Sequence, residues 1–339
     1  MVSINMFEVD NFNAPFVIAE IGVNHNGDVE IAKKLVKEAA HAGAHAVKFQ
    51  LWTKDSLYAD SFLVDKPDFE KGLEEYSLTK DEYRELANLC QKESILFSAT
   101  PFSKEEVDFL VELNTAFIKV ASMDVNNYPF LDYIARKDLP IILSTGFAHL
   151  SEITKAIETI RAAGNDDIVL LHCVSDYPPA DKELDLDNIT FFMDIFDLPV
   201  GYSDHAEDLL PCIVAGAKGA AVIEKHFTLS RDMEGWDHKV SADPVMLEEL
   251  IAVLDRIPVL NGSYERIVSD EQIEKRKNFR RSIVATQDIK SGNKFTPENI
   301  TLKRPGTGFA PENLEMILGM TSKNPIKTGE LIKNEDIKG

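Results

Sequence analysis

Residues 198–229 read LPVGYSDHAEDLLPCIVAGAKGAAVIEKHFTL, and this stretch decides the fold. Two short apolar runs, 198–204 and 221–229, flank a longer segment. Runs that are apolar on both faces are typical of strands buried in a parallel sheet. The same alternation recurs in six earlier runs, at 16–23, 46–52, 95–101, 116–123, 140–146 and 168–175. Eight such strand-and-helix units predict an α/β fold, a closed (β/α)8 TIM barrel.

The repeated strand-and-helix pattern ends at about Gly262. A charged stretch, EQIEKRK at 271–277, precedes Gly and Pro residues that punctuate strand-like runs at 282–285, 300–303 and 324–326. We therefore predict a barrel domain over residues 1–270, a linker over 271–281 and a small β-rich domain over 282–339. Residues 53–77 interrupt the barrel pattern, and we expect them to form an excursion of the active-site loops.

The composition argues against several classes of protein. Lys and Arg total 36 against 57 Asp and Glu, and the net charge of −21 would repel nucleic acid and anionic membranes. The three cysteines share no CxxC spacing, which argues against a disulfide framework or a thiolate zinc site. The sequence predicts no export signal and no apolar run of the roughly 18 residues that span a bilayer. We expect a cytoplasmic protein with neither nucleic-acid nor membrane partners.

Two lysines stand at the ends of apolar runs. In a parallel barrel the reactive side chains lie at the carboxyl ends of the strands, which is where Lys48 and Lys119 fall. A buried lysine needs an anion beside it, and a phosphate is the natural candidate. Hydroxyl groups at neighbouring strand ends would add donors to such a site, namely those of Thr100, Ser122 and Ser144.

Carboxylates at other strand ends leave a second interpretation open. Glu20, Asp124 or Glu224 could pair with the lysines in a structural ion network. Glu20 and Asp124 could equally serve as a base, an acid or clamps on sugar hydroxyls. Composition and spacing do not choose among these roles.

Two histidines end adjacent runs, His205 after the seventh and His226 in the eighth. They are placed to converge on the mouth of the barrel. Two imidazoles would leave open positions where Mn²⁺, Mg²⁺ or Zn²⁺ could bind substrate oxygens and water. A satisfied core histidine is the alternative for either residue alone.

Taken together, these motifs resemble those of the N-acetylneuraminate (sialic acid) synthases over nearly the whole chain. The motifs include AEIGVNH at 19–25, VKFQ at 47–50, ATPF at 99–102, NNYP at 126–129, LSTG at 143–146, LHC at 171–173, YSDH at 202–205 and IEKHFT at 223–228. The C-terminal region, with KRPGTG at 303–308 and LGM at 318–320, is similar to the antifreeze-like (SAF, β-clip) domain that follows the barrel in this family.

The resemblance implies an enzyme that condenses phosphoenolpyruvate with an amino-sugar aldehyde. It implies that His205 and His226 hold a divalent metal, Mn²⁺ in the first place, with Mg²⁺ or Co²⁺ as alternatives. It further implies a domain-swapped homodimer in which Arg304 enters the partner's active site. The remaining roles implied are catalysis by Glu20 and Asp124, sugar binding by Tyr177 and Asp237, and phosphoenolpyruvate binding by Lys48, Thr100, Lys119, Ser122, Ser144 and Ser175.

The sequence departs from the family pattern at two places. Where members of the family have Gly-Ser-Gly-Glu, this chain has Ala-Ser-Met-Asp at 121–124, and Ser175 replaces an expected asparagine. The sugar could therefore be a deoxy-diacetamido hexose rather than N-acetylmannosamine. Two other hypotheses are a Schiff-base aldolase that uses Lys119 or Lys225, and a non-catalytic protein that binds sugar or ice.

Overall fold

The computed structural model describes residues 1–338, apart from the side chains of Lys54 and Asp55, and divides the chain into two units, Met1–Gly262 and Ser263–Gly339. The last residue of the predicted C-terminal domain, Gly339, lies outside the described residues. The first unit begins with an antiparallel hairpin of β1 (Val2–Ile4) and β2 (Phe7–Val9).

Eight parallel strands form the body of the first unit. They are β3 (Phe16–Gly22), β4 (Ala46–Leu51), β5 (Leu96–Pro101), β6 (Ile118–Val120), β7 (Ile141–Ser144), β8 (Ile168–Cys173), β9 (Val200–Asp204) and β10 (Val222–His226). Their order is β5-β4-β3-β10-β9-β8-β7-β6. At the seam between β5 and β6, the Ala116 amide donates to the Phe97 carbonyl at 3.1 Å. The predicted (β/α)8 barrel is confirmed.

Helices connect the strands and cover the outside of the barrel. They are α1 (Val29–His41), α2 (Lys54–Leu57), α3 (Asp60–Leu63), α4 (Pro67–Glu75), α5 (Lys80–Lys92), α6 (Lys104–Glu112), α7 (Tyr128–Ala135), α8 (Leu150–Ala162), α9 (Asp187–Phe196), α10 (Leu210–Ala217), α11 (Pro244–Leu254) and α12 (Ile257–Asn261). Asp28 caps α1 by accepting from the Glu30 and Ile31 amides. The predicted excursion, 53–77, contains the short helices α2, α3 and α4.

The fourth strand is shorter than the apolar run predicts. β6 ends at Val120, and Ser122–Asp124 form a 3₁₀ turn. The prediction that Asp124 stands at a strand end is therefore wrong. Because the turn redirects the chain, the direction of the Asp124 side chain is set by the turn and not by the alternation of a strand.

The hairpin closes the amino-terminal end of the barrel. Val2, Ile4 and Val9 are buried in one apolar cluster with barrel residues that include Phe16 and Phe117. This packing removes the bottom of the barrel from solvent. Within the described barrel, buried polar side chains cluster at the carboxyl ends of the strands, where they line a cavity.

The second unit has its own apolar core. It comprises α13 (Asp270–Phe279), β11 (Ser282–Ala285), β12 (Ile300–Lys303), α14 (Leu314–Ile317), β13 (Thr321–Ser322) and β14 (Ile337–Lys338). Helix α13 occupies most of the predicted linker, 271–281. Residues 324–326, predicted as a strand, form only a single bridge, Ile326 with Ile289. No helix in residues 1–338 is long and apolar enough to cross a membrane.

Candidate active site

A cavity of about 380 Å³ lies at the carboxyl ends of the barrel strands. Most of the residues predicted from sequence line it. They are Glu20, Lys48, Thr100, Lys119, Ser122, Ser144, Ser175, Tyr177, His205 and His226. Strand ends gather them because parallel strands in a barrel direct their carboxyl ends to one face.

Lys48 lies at the centre of a buried group of charges. Its ammonium is 2.7 Å from Glu20 Oε2 and donates to Thr100 Oγ1 at 3.1 Å. Glu224 Oε2 is 3.8 Å from the same ammonium, which is too far for a hydrogen bond. Gln50 Nε2 donates to the other Glu20 oxygen at 3.3 Å. Glu20 is therefore the near partner of Lys48.

Lys119 is held differently. Its ammonium donates to Ser144 Oγ at 2.7 Å and to the Val120 carbonyl at 3.2 Å, and it is 3.8 Å from Glu224 Oε1. Glu224 accepts instead from Ser203 Oγ at 2.9 Å. The Lys119 ammonium has neutral oxygen partners at hydrogen-bonding distance and no carboxylate that close. Its positive charge therefore has no carboxylate at hydrogen-bonding distance.

Burial and neighbouring charges shift the pKa values of Glu20 and Glu224 in opposite directions. Burial raises the pKa of Glu20 to about 7; Lys48 opposes this rise and Glu224 adds to it. Burial also acts to raise the pKa of Glu224, but Lys119 and Lys48 outweigh it and lower this pKa. Two carboxyl groups whose pKa values are pushed apart are suited to separate acid and base roles.

Two serines converge on a glycine beside the cavity. The Gly146 amide donates to Ser122 Oγ at 3.0 Å. A Cβ at position 146 would lie 2.3 Å from Ser175 Oγ and 2.9 Å from Ser122 Oγ. A side chain at position 146 would therefore displace both hydroxyls from their present positions.

The two histidines face each other across the ends of β9 and β10, with ring centroids 5.4 Å apart. His205 Nδ1 is 2.7 Å from the Val174 carbonyl and therefore carries the proton, which leaves Nε2 as the acceptor. The Tyr177 hydroxyl lies 2.9 Å from that Nε2. His226 Nδ1 is buried with no hydrogen-bond partner among the described residues.

Both imidazoles are neutral. Burial lowers the pKa of His205, and burial together with the neighbouring His205 lowers the pKa of His226 well below its usual value. Neutral imidazoles are the form that binds metals. In residues 1–338 no group of three or more His, Cys, Asp or Glu side chains forms a metal site by itself.

Three predicted site residues do not line the cavity. Asp237 Oδ2 lies 3.7 Å from His226 Nδ1, close behind the cavity, and burial raises the pKa of Asp237 to about 6. Asp124 accepts from Asn127 Nδ2 at 2.9 Å within its turn. Arg304 belongs to the second unit, where its guanidinium lies over the Phe279 ring at 5.4 Å from the centroid.

The sequence did not single out one side of the cavity. Tyr58, Phe69 and Trp236, which we call the aromatic wall, all line it. Trp236 lies parallel to Phe69, with centroids 6.0 Å apart, and 4.8 Å from the Tyr76 centroid. The aromatic residues of the 53–77 excursion were the available signal for this surface.

The fold and this site define an enzyme of the (β/α)8 class with two buried lysines at the floor of its cavity. The family model described as "NeuB family" matches residues 35–266, and that described as "SAF domain" matches residues 280–338. This chain belongs to the NeuB family.

Individual relatives agree with this placement. The chain is 37% identical to an N,N'-diacetyllegionaminic acid synthase of Legionella pneumophila, over 95% of this chain and 94% of that one. It is 36% identical to a pseudaminic acid synthase of Campylobacter jejuni, over 98% and 100%. It superposes on the sialic acid synthetase of Leptospira borgpetersenii with a TM-score of 0.76 and 32% identity, over 81% of this chain and 94% of that chain.

Proposed function

We propose that the protein condenses phosphoenolpyruvate with the open-chain aldehyde of an N-acyl amino sugar, giving a nine-carbon nonulosonic acid and phosphate. The observation that carries the proposal is the cavity, which holds two buried lysines and two neutral histidines within 380 Å³. The names of the relatives, which are synthases of legionaminic and pseudaminic acid, support the same reaction class.

Phosphoenolpyruvate would bind on the floor of the cavity. Lys48 and Lys119 are both within 3.8 Å of Glu224, but neither forms a hydrogen bond with it. A phosphate or carboxylate can therefore make the close contacts to the lysines that Glu224 leaves open. The hydroxyl donors that would complete this site are those of Thr100, Ser122, Ser144 and Ser175.

The residues present fit a divalent cation. His205 Nε2 has a free lone pair once Tyr177 moves aside, and His226 Nδ1 has no partner among the described residues. These histidines would hold Mn²⁺ in the first place, or Mg²⁺ or Co²⁺. When bound, the cation would supply Lewis-acid polarisation of the aldehyde oxygen.

The chemistry forms one carbon–carbon bond and, at C2, replaces the carbon–oxygen bond to phosphate with one to water. C3 of phosphoenolpyruvate bonds to the aldehyde carbon, water adds to C2, and phosphate leaves from the same carbon. Of the two protons of the water, one goes to the aldehyde oxygen and the other to the phosphate. Glu20, with a pKa of about 7, can both give and take a proton near neutral pH. Tyr177 and Asp237 would orient the sugar and the water, and Asp124 would act on the site only through its turn.

The aromatic wall favours a deoxy-diacetamido hexose over N-acetylmannosamine. Tyr58, Phe69 and Trp236 offer an apolar surface to the substrate and no charged group. A methyl group in place of a hydroxyl, and a second acetyl methyl, would gain from burial against these rings. N-acetylmannosamine would leave its hydroxyl groups against an apolar surface.

A domain-swapped homodimer is part of the proposal. The Arg304 guanidinium is exposed and forms no ion pair within residues 1–338. In the dimer it would enter the partner's cavity and bind the sugar. We therefore assign the chemistry to residues 1–270, the connection to 271–281 and the Arg304-bearing domain to 282–339. Location in the cytoplasm stays a prediction.

The decisive experiment offers the protein phosphoenolpyruvate, Mn²⁺ and a panel of N-acyl amino sugars, and measures phosphate release and product mass. Phosphate release with a product whose mass equals that of the sugar plus pyruvic acid is expected for a deoxy-diacetamido hexose. No phosphate release with any member of the panel would contradict the proposal.

A Schiff-base aldolase is separated from this mechanism by borohydride. Lys225 does not line the cavity, and its ammonium is fully buried in an ion pair with Asp204. Lys119 does line the cavity. Reduction with borohydride during turnover should leave the mass of the protein unchanged, whereas an adduct on Lys119 would identify an aldolase.

A further inference from the structure

A buried ion pair lies directly behind the two histidines. Lys225 Nζ is 2.6 Å from Asp204 Oδ2, and both side chains have no solvent exposure. Neither residue lines the cavity. The pair faces α10 instead, because the Cys212 thiol donates to Asp204 Oδ2 at 3.3 Å. The mechanism proposed above gives these two residues no role.

The pair brackets His205. Lys225 binds the residue before His205, Asp204, and also donates to the carbonyl of the residue after it, Ala206. Asp204 Oδ1 accepts from the Ala206 amide at 3.1 Å and from the Tyr202 hydroxyl at 2.8 Å. One ammonium and one carboxylate therefore fix the backbone on both sides of the histidine.

The backbone hydrogen bonds between β9 and β10 do not by themselves fix the position of His205. The register between β9 and β10 ends with Asp204 opposite Lys225. His226 still pairs with Glu20 of β3, but His205 lies beyond the end of β9. Beyond the last ladder pair, the hydrogen bond from His205 Nδ1 to the Val174 carbonyl orients the ring, and the contacts of Asp204 and Lys225 fix the backbone that carries it.

The energetics point the same way. Taking both charges out of water costs several kcal/mol per ion, and well-packed apolar residues of similar volume are often as stable or more stable. Stability alone therefore gives little reason for this pair. Groups that orient metal-binding histidines typically alter metal affinity by about 10- to 100-fold when they are replaced, and this pair acts on the backbone that carries His205.

We propose that Asp204 and Lys225 are positioning residues that hold His205 at the correct distance from His226 for both to bind one divalent cation. The inference rests on the proposed function, since it assumes that these histidines share a metal. It predicts a specific loss of metal binding when the pair is replaced by apolar residues, without loss of the fold.

The test compares the wild type with the double variant Asp204→Leu/Lys225→Met. Mn²⁺ affinity is measured from the electron paramagnetic resonance signal of free Mn²⁺, and the fold from circular dichroism and the Tm. The double variant should keep the circular dichroism spectrum and bind Mn²⁺ about 10- to 100-fold more weakly. The single variant Tyr202→Phe, which removes one bond to Asp204, should show a smaller loss of the same kind.

Controls separate the inference from the proposed function. The exposed pair Arg136–Asp132, replaced as Arg136→Met/Asp132→Leu, should leave Mn²⁺ affinity unchanged. Wild-type affinity in the Asp204→Leu/Lys225→Met protein, together with lost affinity in His205→Ala, would overturn the positioning role alone. Absence of Mn²⁺ binding by the wild type would overturn the metal part of the proposed function, and this inference with it. If the double variant does not fold, the test relies on Tyr202→Phe. Unchanged Mn²⁺ affinity in that folded variant would count against the inference.

Discussion

The Lys48 ammonium lies 2.7 Å from the Glu20 carboxylate, and both side chains are buried at the floor of the cavity. The contact joins the ammonium that we propose binds phosphoenolpyruvate to a carboxyl group whose pKa is about 7. When a phosphate or carboxylate group takes over Lys48, Glu20 loses its ion-pair partner and its proton affinity rises further. Under the proposed function, substrate binding and proton uptake would therefore be linked at this pair.

The first prediction concerns pH and the free energy of unfolding. The folded-state pKa of Glu20 is raised from 4.5 to about 7, so the folded protein holds a proton that the unfolded chain has lost. Stability due to this group is complete below pH 4.5 and is lost as the pH rises to about 7. Glu20→Gln removes the titrating carboxyl group, so the variant should not lose this stability as the pH rises. Its unfolding free energy relative to wild type should rise across that window, by on the order of 3 kcal/mol at most.

Urea unfolding of the metal-free protein at several pH values measures this difference. Glu8→Gln, a change at an exposed position of strand β2, is the matched control and should show no such trend. A relative stability of Glu20→Gln that stayed flat from pH 4.5 to 7 would mean that Glu20 is ionised throughout.

The second prediction concerns the binding of phosphoenolpyruvate. Lys119→Met should lower kcat/KM for phosphoenolpyruvate by about 10²- to 10³-fold, because the ammonium beside Ser144 is lost. Lys155→Met, a change at an exposed residue of α8, should have no effect. Steady-state kinetics with the sugar held at saturation gives both values. If kcat/KM of Lys119→Met stayed within threefold of the wild-type value, Lys119 would have a structural role in the ion network and no role in binding phosphoenolpyruvate.

The third prediction concerns metal removal. Treatment with EDTA should abolish activity, and Mn²⁺ should restore it in the wild type. His205→Ala and His226→Ala should each fail to respond to added Mn²⁺, because each removes one of the two proposed protein ligands. His149→Ala, at the exposed start of α8, should behave as wild type. Full activity of the EDTA-treated wild type in metal-free buffer would rule out the metal mechanism.

The fourth prediction concerns the dimer. Arg304→Ala and His226→Ala should each be inactive, because each lacks one part of every site. After the two proteins are mixed and exchange subunits, about half of the dimers are mixed, and each of these has one complete site. Activity should then return to about a quarter of the wild-type value. A mixture as inactive as its components, with exchange verified by mass spectrometry, would argue against a shared site.

The fifth prediction concerns the sugar. Trp236→Ala should lower kcat/KM for a deoxy-diacetamido hexose by about 10- to 100-fold while leaving the KM for phosphoenolpyruvate unchanged. N-acetylmannosamine should be affected less, so the ratio of the two specificity constants should fall. Tyr264→Ala, an exposed aromatic residue outside the cavity, is the control. Equal losses for both sugars would show that Trp236 supports the loop and does not select the substrate.

Much of the barrel and its floor could be predicted because strand periodicity fixes both. Glu20 and Lys48 stand between apolar neighbours on their strands, His226 is the last residue of β10, and all three line the cavity. The same reasoning failed for Asp124, because β6 ends four residues earlier, at Val120, and the 3₁₀ turn breaks the alternation.

The aromatic wall could not be predicted for a different physical reason. Trp236 lies in the loop after β10, and its position depends on packing against Phe69 of α4 and on Tyr76. Contacts between segments so far apart in the chain leave no periodic pattern in the sequence. The Asp204–Lys225 pair was similarly hidden, because only the register of β9 against β10 brings these residues together.

The plug formed by the β1–β2 hairpin has a consequence for the order of events in turnover. Val2, Ile4 and Val9 seal the amino-terminal end of the barrel. Substrates would therefore enter the cavity from the side of the carboxyl strand ends. The lysines at the floor are almost fully buried, whereas Trp236 at the rim is 46% exposed. A sugar seated against the rim would block the way to the floor. Under the proposed function, phosphoenolpyruvate would therefore have to arrive first, and turnover would follow a compulsory order in which premature sugar binding produces a dead-end complex.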